Sequence, residues 1–200
     1  MRRLGGFMFV LMLILAAFSP SAQASLIDRG GGMIYDTVLD ITLLQDANYA
    51  KTSGYSAANQ YGGMTWFEAD AWAKQLSYGG YTDWRLLNPE RPFYRSSDGW
   101  NGGEFAQLFM GENISKSHPG PFMNLGSIYW SNQYIKYPGW EAAWTFNMTD
   151  GSHGPYGPNI EFLAWAVRDG DVAATPIPGG VWLLGSGLAC LLGLRKKLAR

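Results

Sequence analysis

Residues 64–80, "MTWFEADAWAKQLSYGG", decide the fold, and residues 81–88, "YTDWRLLN", follow them directly. Thr65 and Glu68 have the spacing of a capping box, in which each side chain binds the other residue's backbone N–H at a helix start. Apolar residues then recur at helical spacing, at Ala69, Trp72, Ala73 and Leu76. The pair Gly79-Gly80 is typical of a helix end. We therefore predict a helix up to the glycine pair and a strand over residues 81–88.

Short β-type segments lie on both sides of this helix. Residues 33–50, "MIYDTVLDITLLQDANYA", are rich in β-branched and apolar residues and predict two short strands or a hairpin. Further elements are predicted downstream: a short helix at 104–110, paired strands at 126–135 and 140–148, and a last strand at 160–172. The last strand is almost continuously apolar, which favours a central place in its sheet.

The N-terminal residues 1–24 have the features of a secretory signal peptide. Arg2 and Arg3 precede an apolar run over residues 7–18, and Ala22-Gln23-Ala24 fits the small-x-small cleavage rule. We predict cleavage after Ala24, with an uncleaved signal anchor as the alternative. The exported domain then covers residues 25–172.

The C-terminal residues 173–200 predict a linker and a short membrane segment. A linker at 173–180 leads to 14 apolar residues, 181–194, and then to a basic cluster. A helix of that length spans about 21 Å, whereas a bilayer's hydrocarbon core is about 30 Å thick. The segment is therefore short for a stable span, although an ordinary tail anchor is the alternative.

Charge and cysteine content exclude several classes of function. All 16 acidic residues lie in the exported domain, but only nine of the 15 Lys and Arg residues do, so that the domain carries a net charge of about −7. Such a domain lacks the cluster of Lys and Arg residues that is typical of nucleic-acid binding. The single cysteine, Cys190, lies in the tail, so the domain has neither a disulfide nor a thiol nucleophile.

Five motifs resemble one known family. "LLQDANYA", "GMTWFEADAWAKQLSYGGYTDWRL", "IYWSNQ", "AAWTFNMTDG" and "AWAVRDGD" occur in this order between residues 43 and 171. They resemble the Lcl C-terminal domain family, also known as the domain of unknown function 1566. The resemblance implies an α+β fold related to C-type-lectin-like and formylglycine-generating-enzyme-like modules, with a twisted antiparallel sheet and one or two helices. The chain departs from the family at Leu87, where proline is usual, and over the long Pro/Ser/Gly-rich loop 88–103.

The tail resembles a PEP-CTERM sorting signal in its VPxPA variant. The matching positions are Pro176, Pro178, Gly185 and Gly187, with Arg195, Lys196 and Lys197 as the basic end. The resemblance implies recognition in the inner membrane by an exosortase. A tail that is cut after sorting does not need a stable spanning helix, as in lipid-anchored proteins whose tail is removed.

Few residues favour catalysis. His118 and His153 are the only histidines, they lie in Gly/Pro-rich loops, and they lack metal-ligand spacing. We therefore expect no catalytic residues and no required cofactor. Calcium stays an alternative, because Asp98, Asn101 and Glu104 space oxygen ligands through a Gly-rich loop.

Other conspicuous residues are expected to be structural. Asp83 and Arg85 flank Trp84 at the helix–strand junction, where ion pairs commonly tie a turn to a sheet. We assign structural roles to seven residues: Trp72, Asp83, Trp84, Arg85, Trp130, Trp144 and Arg168.

Aromatic loop residues are the remaining candidates for ligand contact. The exported domain has 26 aromatic rings, more than a core of its size can hold. Six lie in loops or at strand ends: Tyr94, Trp100, Tyr134, Tyr137, Trp140 and Tyr156. We expect a ligand site in the loops 88–103 and 134–140, through Tyr94, Trp100, Tyr137 and Trp140.

The sequence thus predicts an exported binding module of the bacterial cell envelope or extracellular matrix. Its expected partners are an extracellular polysaccharide or a surface protein, with the exosortase and the inner membrane engaged during sorting. The alternative is an envelope hydrolase that uses two carboxylates, which would have to face each other about 5–10 Å apart in a cleft.

Overall fold

The computed structural model describes residues 25–89 and 103–172, which form an α+β fold of mostly antiparallel sheets with short helices. The signal peptide, linker and sorting tail predicted above lie outside the described residues. No helix within the described ranges has the length and apolar content needed to cross a membrane.

The first sheet has five strands in the order β1-β2-β3-β8-β4. They are β1 (Leu26–Gly30), β2 (Met33–Asp36), β3 (Ile41–Leu44), β4 (Arg85–Leu86) and β8 (Ala166–Asp169). The predicted hairpin is confirmed as β2 and β3, and β8 is central as expected. Two predicted strands, over residues 81–88 and 160–172, are much shorter than expected, since only two and four residues of them join the ladder. Strand β1 was not predicted.

The second sheet has three antiparallel strands, β5 (Ile128–Tyr137), β6 (Trp140–Asn147) and β7 (His153–Tyr156). The predicted pairing of β5 with β6 is confirmed. The expectation of one twisted sheet is wrong for the described residues, because these strands form a separate sheet. Strand β5 bulges between Trp130 and Tyr134, where three of its residues face the single residue Trp144.

The helices are short. Helix α1 (Tyr49–Thr52) precedes α2 (Trp66–Gln75), and α3 (Glu104–Ala106) continues as a π-helix over Gln107–Gly111. The capping box of α2 is confirmed, because Thr65 and Glu68 bind each other's backbone N–H groups. The predicted end of α2 is wrong: the helix stops at Gln75. Gly79 and Gly80, both at positive φ, instead form the turn that leads towards β4.

Three tryptophans join the layers of the core. The indole N–H of Trp165 donates to the carbonyl of Leu44, that of Trp130 to Met64, and that of Trp66 to Ser131, each at 2.8 Å. A buried indole needs such a partner, because an unpaired N–H costs about 1–3 kcal/mol. These bonds therefore fix β8 to β3, and β5 to the start of α2. Trp72 and Trp84 are also buried in this core.

Candidate functional site

The predicted ligand loop over residues 88–103 is described only at its two roots. Arg85 donates to both carboxylate oxygens of Glu104, at 2.9 and 2.6 Å. The backbone N–H of Asn88 donates to the same carboxylate at 2.7 Å, and Pro89 is buried. The positions where the chain enters and leaves residues 90–102 are therefore held together by one largely buried ion pair.

Several predicted site residues lie outside the described residues: Tyr94, Trp100, Asp98 and Asn101. Of the calcium candidates only Glu104 is described, and its carboxylate is engaged by Arg85 and Asn88. Within residues 25–89 and 103–172, no group of three His, Cys, Asp or Glu side chains could hold a metal ion. Calcium binding stays an untested prediction.

The residues around Trp84 form a network at the surface of the first sheet. Arg168 donates to both carboxylate oxygens of Asp83 at 2.9 Å, and its guanidinium lies 4.1 Å from the ring centre of Tyr81. The hydrogen bond from Arg168 lowers the pKa of Asp83. Arg85 pairs with Asp169 as well as with Glu104. This arrangement ties β4 and the preceding turn to β8.

The tip of the β5–β6 hairpin carries an exposed aromatic pair. Tyr137 and Trp140 face each other across the turn, with ring centres 6.0 Å apart and ring planes inclined by 20°. Tyr137 is 59% exposed and Trp140 49% exposed. Gly139, at a φ of +79°, allows the tight turn between them. The two rings therefore offer apolar faces to solvent on a hairpin of fixed register.

Trp144 lies on the same face of β6 as Trp140, because side chains two or four positions apart in a strand point the same way. Its ring packs 5.9 Å from the ring of His153. Its indole N–H is buried and has no acceptor among the residues that the structure describes. We call Tyr137, Trp140 and Trp144 the aromatic face. The alternation of β6 could have linked Trp144 to Trp140 in the sequence.

Two other predicted aromatic candidates lie apart from this face. Tyr134 is an odd number of positions from Tyr137, so it points to the opposite side of β5. There its ring stacks on Trp66 at 4.8 Å, and its hydroxyl donates to Glu141 at 2.5 Å, which raises the pKa of Tyr134. Tyr156 packs edge-on against Phe162 at 5.2 Å. The sequence placed Tyr134 and Tyr156 in one group with Tyr137 and Trp140, but in the structure they lie away from the aromatic face and pack against Trp66 and Phe162.

An open cleft of about 450 Å³ was missed by sequence reasoning. Its polar lining is Asn48, Asn59, Tyr61, Lys116, Ser127 and Glu161. Glu161 accepts a hydrogen bond from Asn59 at 2.6 Å, and Lys116 donates to Ser127 at 2.8 Å. These residues come from five separate segments of the chain, so no local motif could have revealed the cleft. Among the residues that the structure describes, Glu161 is the one carboxylate in its lining.

Comparisons with family models, with curated proteins and with solved structures found no match. The resemblance to the Lcl C-terminal domain family therefore stays a prediction from the quoted motifs.

Proposed function

We propose that this protein is an exported, non-enzymatic binding module of the bacterial envelope or extracellular matrix, which recognises carbohydrate through the aromatic face. The observation that carries the proposal is the solvent-exposed Tyr137–Trp140 pair. Exposed large rings lose much unfavourable contact with water when a ligand covers them. Sugar rings suit such a surface because they present apolar C–H faces together with hydroxyl edges.

Trp144 extends the apolar area of the proposed surface, but its own indole N–H is buried, so the indole that is open to a ligand is that of Trp140. Indole groups combine a large apolar body with one directed donor, and this combination is common where a ligand is half apolar and half polar. A surface protein that presents an apolar strip with acceptors is the other partner class from the sequence.

The hydrolase alternative is not favoured by the cleft. A glycosidase needs two carboxyl groups facing each other across the bond to be cleaved. The cleft that the structure describes is lined by Glu161 alone among acidic residues, and this side chain is held by Asn59. Binding is therefore the proposal that the described surfaces support best.

Family membership, export and sorting belong to the same proposal. We assign the fold to the C-type-lectin-like class, supported by the separate small sheet beside a capped helix and by the quoted motifs. Export follows from the signal peptide, and transfer to the outer surface follows from the exosortase-type tail.

Removal of the tail should require Pro176 and Pro178. Mass spectrometry of the mature protein from its host tests this, and finding Arg200 on the envelope-bound form would contradict it.

The binding proposal is tested by a glycan array, followed by titration of the best-bound glycan. We expect Trp140→Ala and Tyr137→Ala each to weaken binding at least tenfold, because each removes one exposed stacking ring. Tyr61→Ala is the matched control: this ring is more exposed but lies in the cleft, 76 positions before Tyr137. Loss of binding in Tyr61→Ala alone would place the ligand in the cleft instead. Unchanged affinity in both aromatic-face variants would refute the proposal.

The net negative charge of the domain predicts a weak salt dependence. Recognition of a neutral glycan involves no charge neutralisation, so affinity should change little between low and high salt. A steep loss with salt would indicate recognition of an anionic polymer through basic residues.

A further inference from the structure

Ser25 is the first residue that the structure describes, and both its side chain and its backbone carbonyl form hydrogen bonds. Its side-chain hydroxyl donates to a carboxylate oxygen of Glu112, which follows the π-helix. Its carbonyl accepts the backbone N–H of Thr37 at 2.8 Å. Strand β1 begins at the next residue. The residue that follows the predicted cleavage point is therefore part of the folded domain.

The surroundings of Ser25 are acidic. Asp36, at the end of β2, is fully buried, and one of its oxygens accepts from the N–H groups of Val38 and Leu39. Its other oxygen is buried and has no hydrogen-bond partner among the described residues. Burial raises the pKa of Asp36, and the nearby charges of Glu112 and Glu104 raise it further, although the two backbone bonds oppose this.

In the described part of the chain, Glu104 has a cationic partner but Glu112 has none. Arg85 reaches Glu104 but also pairs with Asp169. Within residues 25–89 and 103–172, no lysine or arginine forms an ion pair with Glu112, whose second oxygen accepts a bond from Gln107 at 3.3 Å. A positive charge next to Ser25 would complete the arrangement.

We propose that removal of the signal peptide supplies this charge: the new α-ammonium group of Ser25 binds the carboxylate of Glu112. This rests on the proposed export and on cleavage after Ala24. Water adds across the Ala24–Ser25 peptide bond; the carboxylate leaves with the signal peptide, and the new amine takes up a proton. The nitrogen and the hydroxyl oxygen of one serine lie roughly 3 Å apart, so a carboxylate that touches the hydroxyl is also near the ammonium.

Maturation thereby stabilises the domain. Before cleavage, the nitrogen of Ser25 is an uncharged amide. Afterwards it is a cation beside Glu112 and close to Asp36, and opposite charges at this range favour each other's charged forms. The precursor is consequently less stable than the mature domain, which suits a chain that must stay unfolded until it has crossed the membrane.

The pH dependence has a definite sign. An unperturbed α-amino group has a pKa of about 7.7–8.0, and pairing with Glu112 raises it in the folded state. The stabilisation is fully present below the unfolded value and is lost as the pH rises through the raised folded value. Among the described residues, Glu112 contacts Ser25, Glu112 and Glu104 both act on Asp36 at the end of β2, and Glu104 is bound by Arg85.

The test uses the processed chain, residues 25–200, in detergent, with the α-amine either free or acetylated. Acetylation removes the charge and mimics the amide of the precursor. We expect it to lower the midpoint of thermal unfolding by about 2–4 °C at pH 6.5, the shift typical of 1 kcal/mol in a domain of this size. The difference should disappear above about pH 10, where the free amine is neutral.

Glu112→Gln is the decisive variant, and Glu161→Gln, a carboxylate in the cleft, is its matched control. Acetylation should have only a small effect in Glu112→Gln, where Asp36 remains near the amine, and its full effect in Glu161→Gln. The pKa of the Ser25 amine, followed by NMR with labelled serine, should lie above its ordinary value in the parent chain. An ordinary pKa in the parent, or an equal effect of acetylation in Glu112→Gln, would overturn the proposal.

Failure of this inference is distinguishable from failure of the export proposal. Mass spectrometry of the protein isolated from its host gives the true N-terminus. A terminus other than Ser25 would refute cleavage after Ala24, whereas an unshifted amine pKa at a genuine Ser25 terminus would refute only the pairing with Glu112.

Discussion

Replacing Arg85 by alanine tests the ion pair with Glu104, which lies at the two ends of the segment 90–102. Glu104 is buried and accepts three hydrogen bonds, two from Arg85 and one from the N–H of Asn88. Arg85→Ala removes two of them and leaves a buried carboxylate without its cation. Breaking a buried pair in this way costs about 3–5 kcal/mol. Because a quarter of the Arg85 side chain is exposed, we expect the lower end, about 3 kcal/mol.

Burial acts to lower the pKa of Arg85, but its hydrogen bonds and its attraction to Glu104 and Asp169 raise that pKa overall. The guanidinium therefore stays charged at every accessible pH, and the loss in the variant is a loss of a permanent cation. Glu104→Gln should cost less than Arg85→Ala, because an amide can still accept the N–H of Asn88. Adding Glu104→Gln to Arg85→Ala should recover part of the stability.

The assay is urea unfolding followed by tryptophan fluorescence, with the midpoint and the slope both recorded. Asp169→Asn is the control, since Asp169 also pairs with Arg85 but its side chain is 79% exposed, and exposed pairs contribute little. A loss below about 1 kcal/mol for Arg85→Ala would refute the reasoning. Equal losses in Asp169→Asn and Glu104→Gln would show that burial does not control this network.

Three further predictions follow from the core, the buried acid and the turns. Trp72→Ala and Trp84→Ala should each destabilise the fold by about 3–5 kcal/mol, and losses below about 1 kcal/mol in chemical unfolding would mean that neither ring is in the core. Because burial raises the pKa of Asp36 above its unfolded value, its contribution to stability grows as the pH falls through the folded value. Asp36→Asn should flatten this part of the pH–stability curve. Gly62→Ala should cost more than Gly139→Ala, because both have positive φ but only at Gly62 would a Cβ meet another side chain, 2.1 Å from Asn48 Oδ1; equal thermal midpoints would contradict this.

The start of α2 could be predicted because its signals are local. Thr65 and Glu68 satisfy each other's backbone groups within one turn, whatever the rest of the chain does. The β5–β6 hairpin was predictable for a similar reason, since a Pro-Gly turn between two apolar runs fixes both the pairing and the tip. Its exposed rings followed from the same turn.

The rest of the fold depends on contacts between distant residues. The segments 81–88 and 160–172 are apolar enough for long strands, but most of their buried residues lie outside the strand ladders. Isolated hydrogen bonds hold them in place, such as that from the backbone N–H of Trp130 to the carbonyl of Leu163. Strand β7 contains a glycine and a proline, which strand propensity disfavours, and it forms because it pairs with β6 at the sheet edge. The cleft could not be predicted, because its lining meets only in three dimensions.

The bulge in β5 relates the ends of the long loop to the aromatic face. The N–H of Asn132, within the bulge, donates to the carbonyl of Leu87 at 2.9 Å, one residue before the loop root at Asn88. The single β6 residue opposite the bulge is Trp144. The second root, at Glu104, is bound to the first through Arg85. Both ends of the segment 90–102 are thus anchored beside the hairpin that bears the proposed binding surface, and a bulge is a device by which a sheet re-aims side chains near such a site.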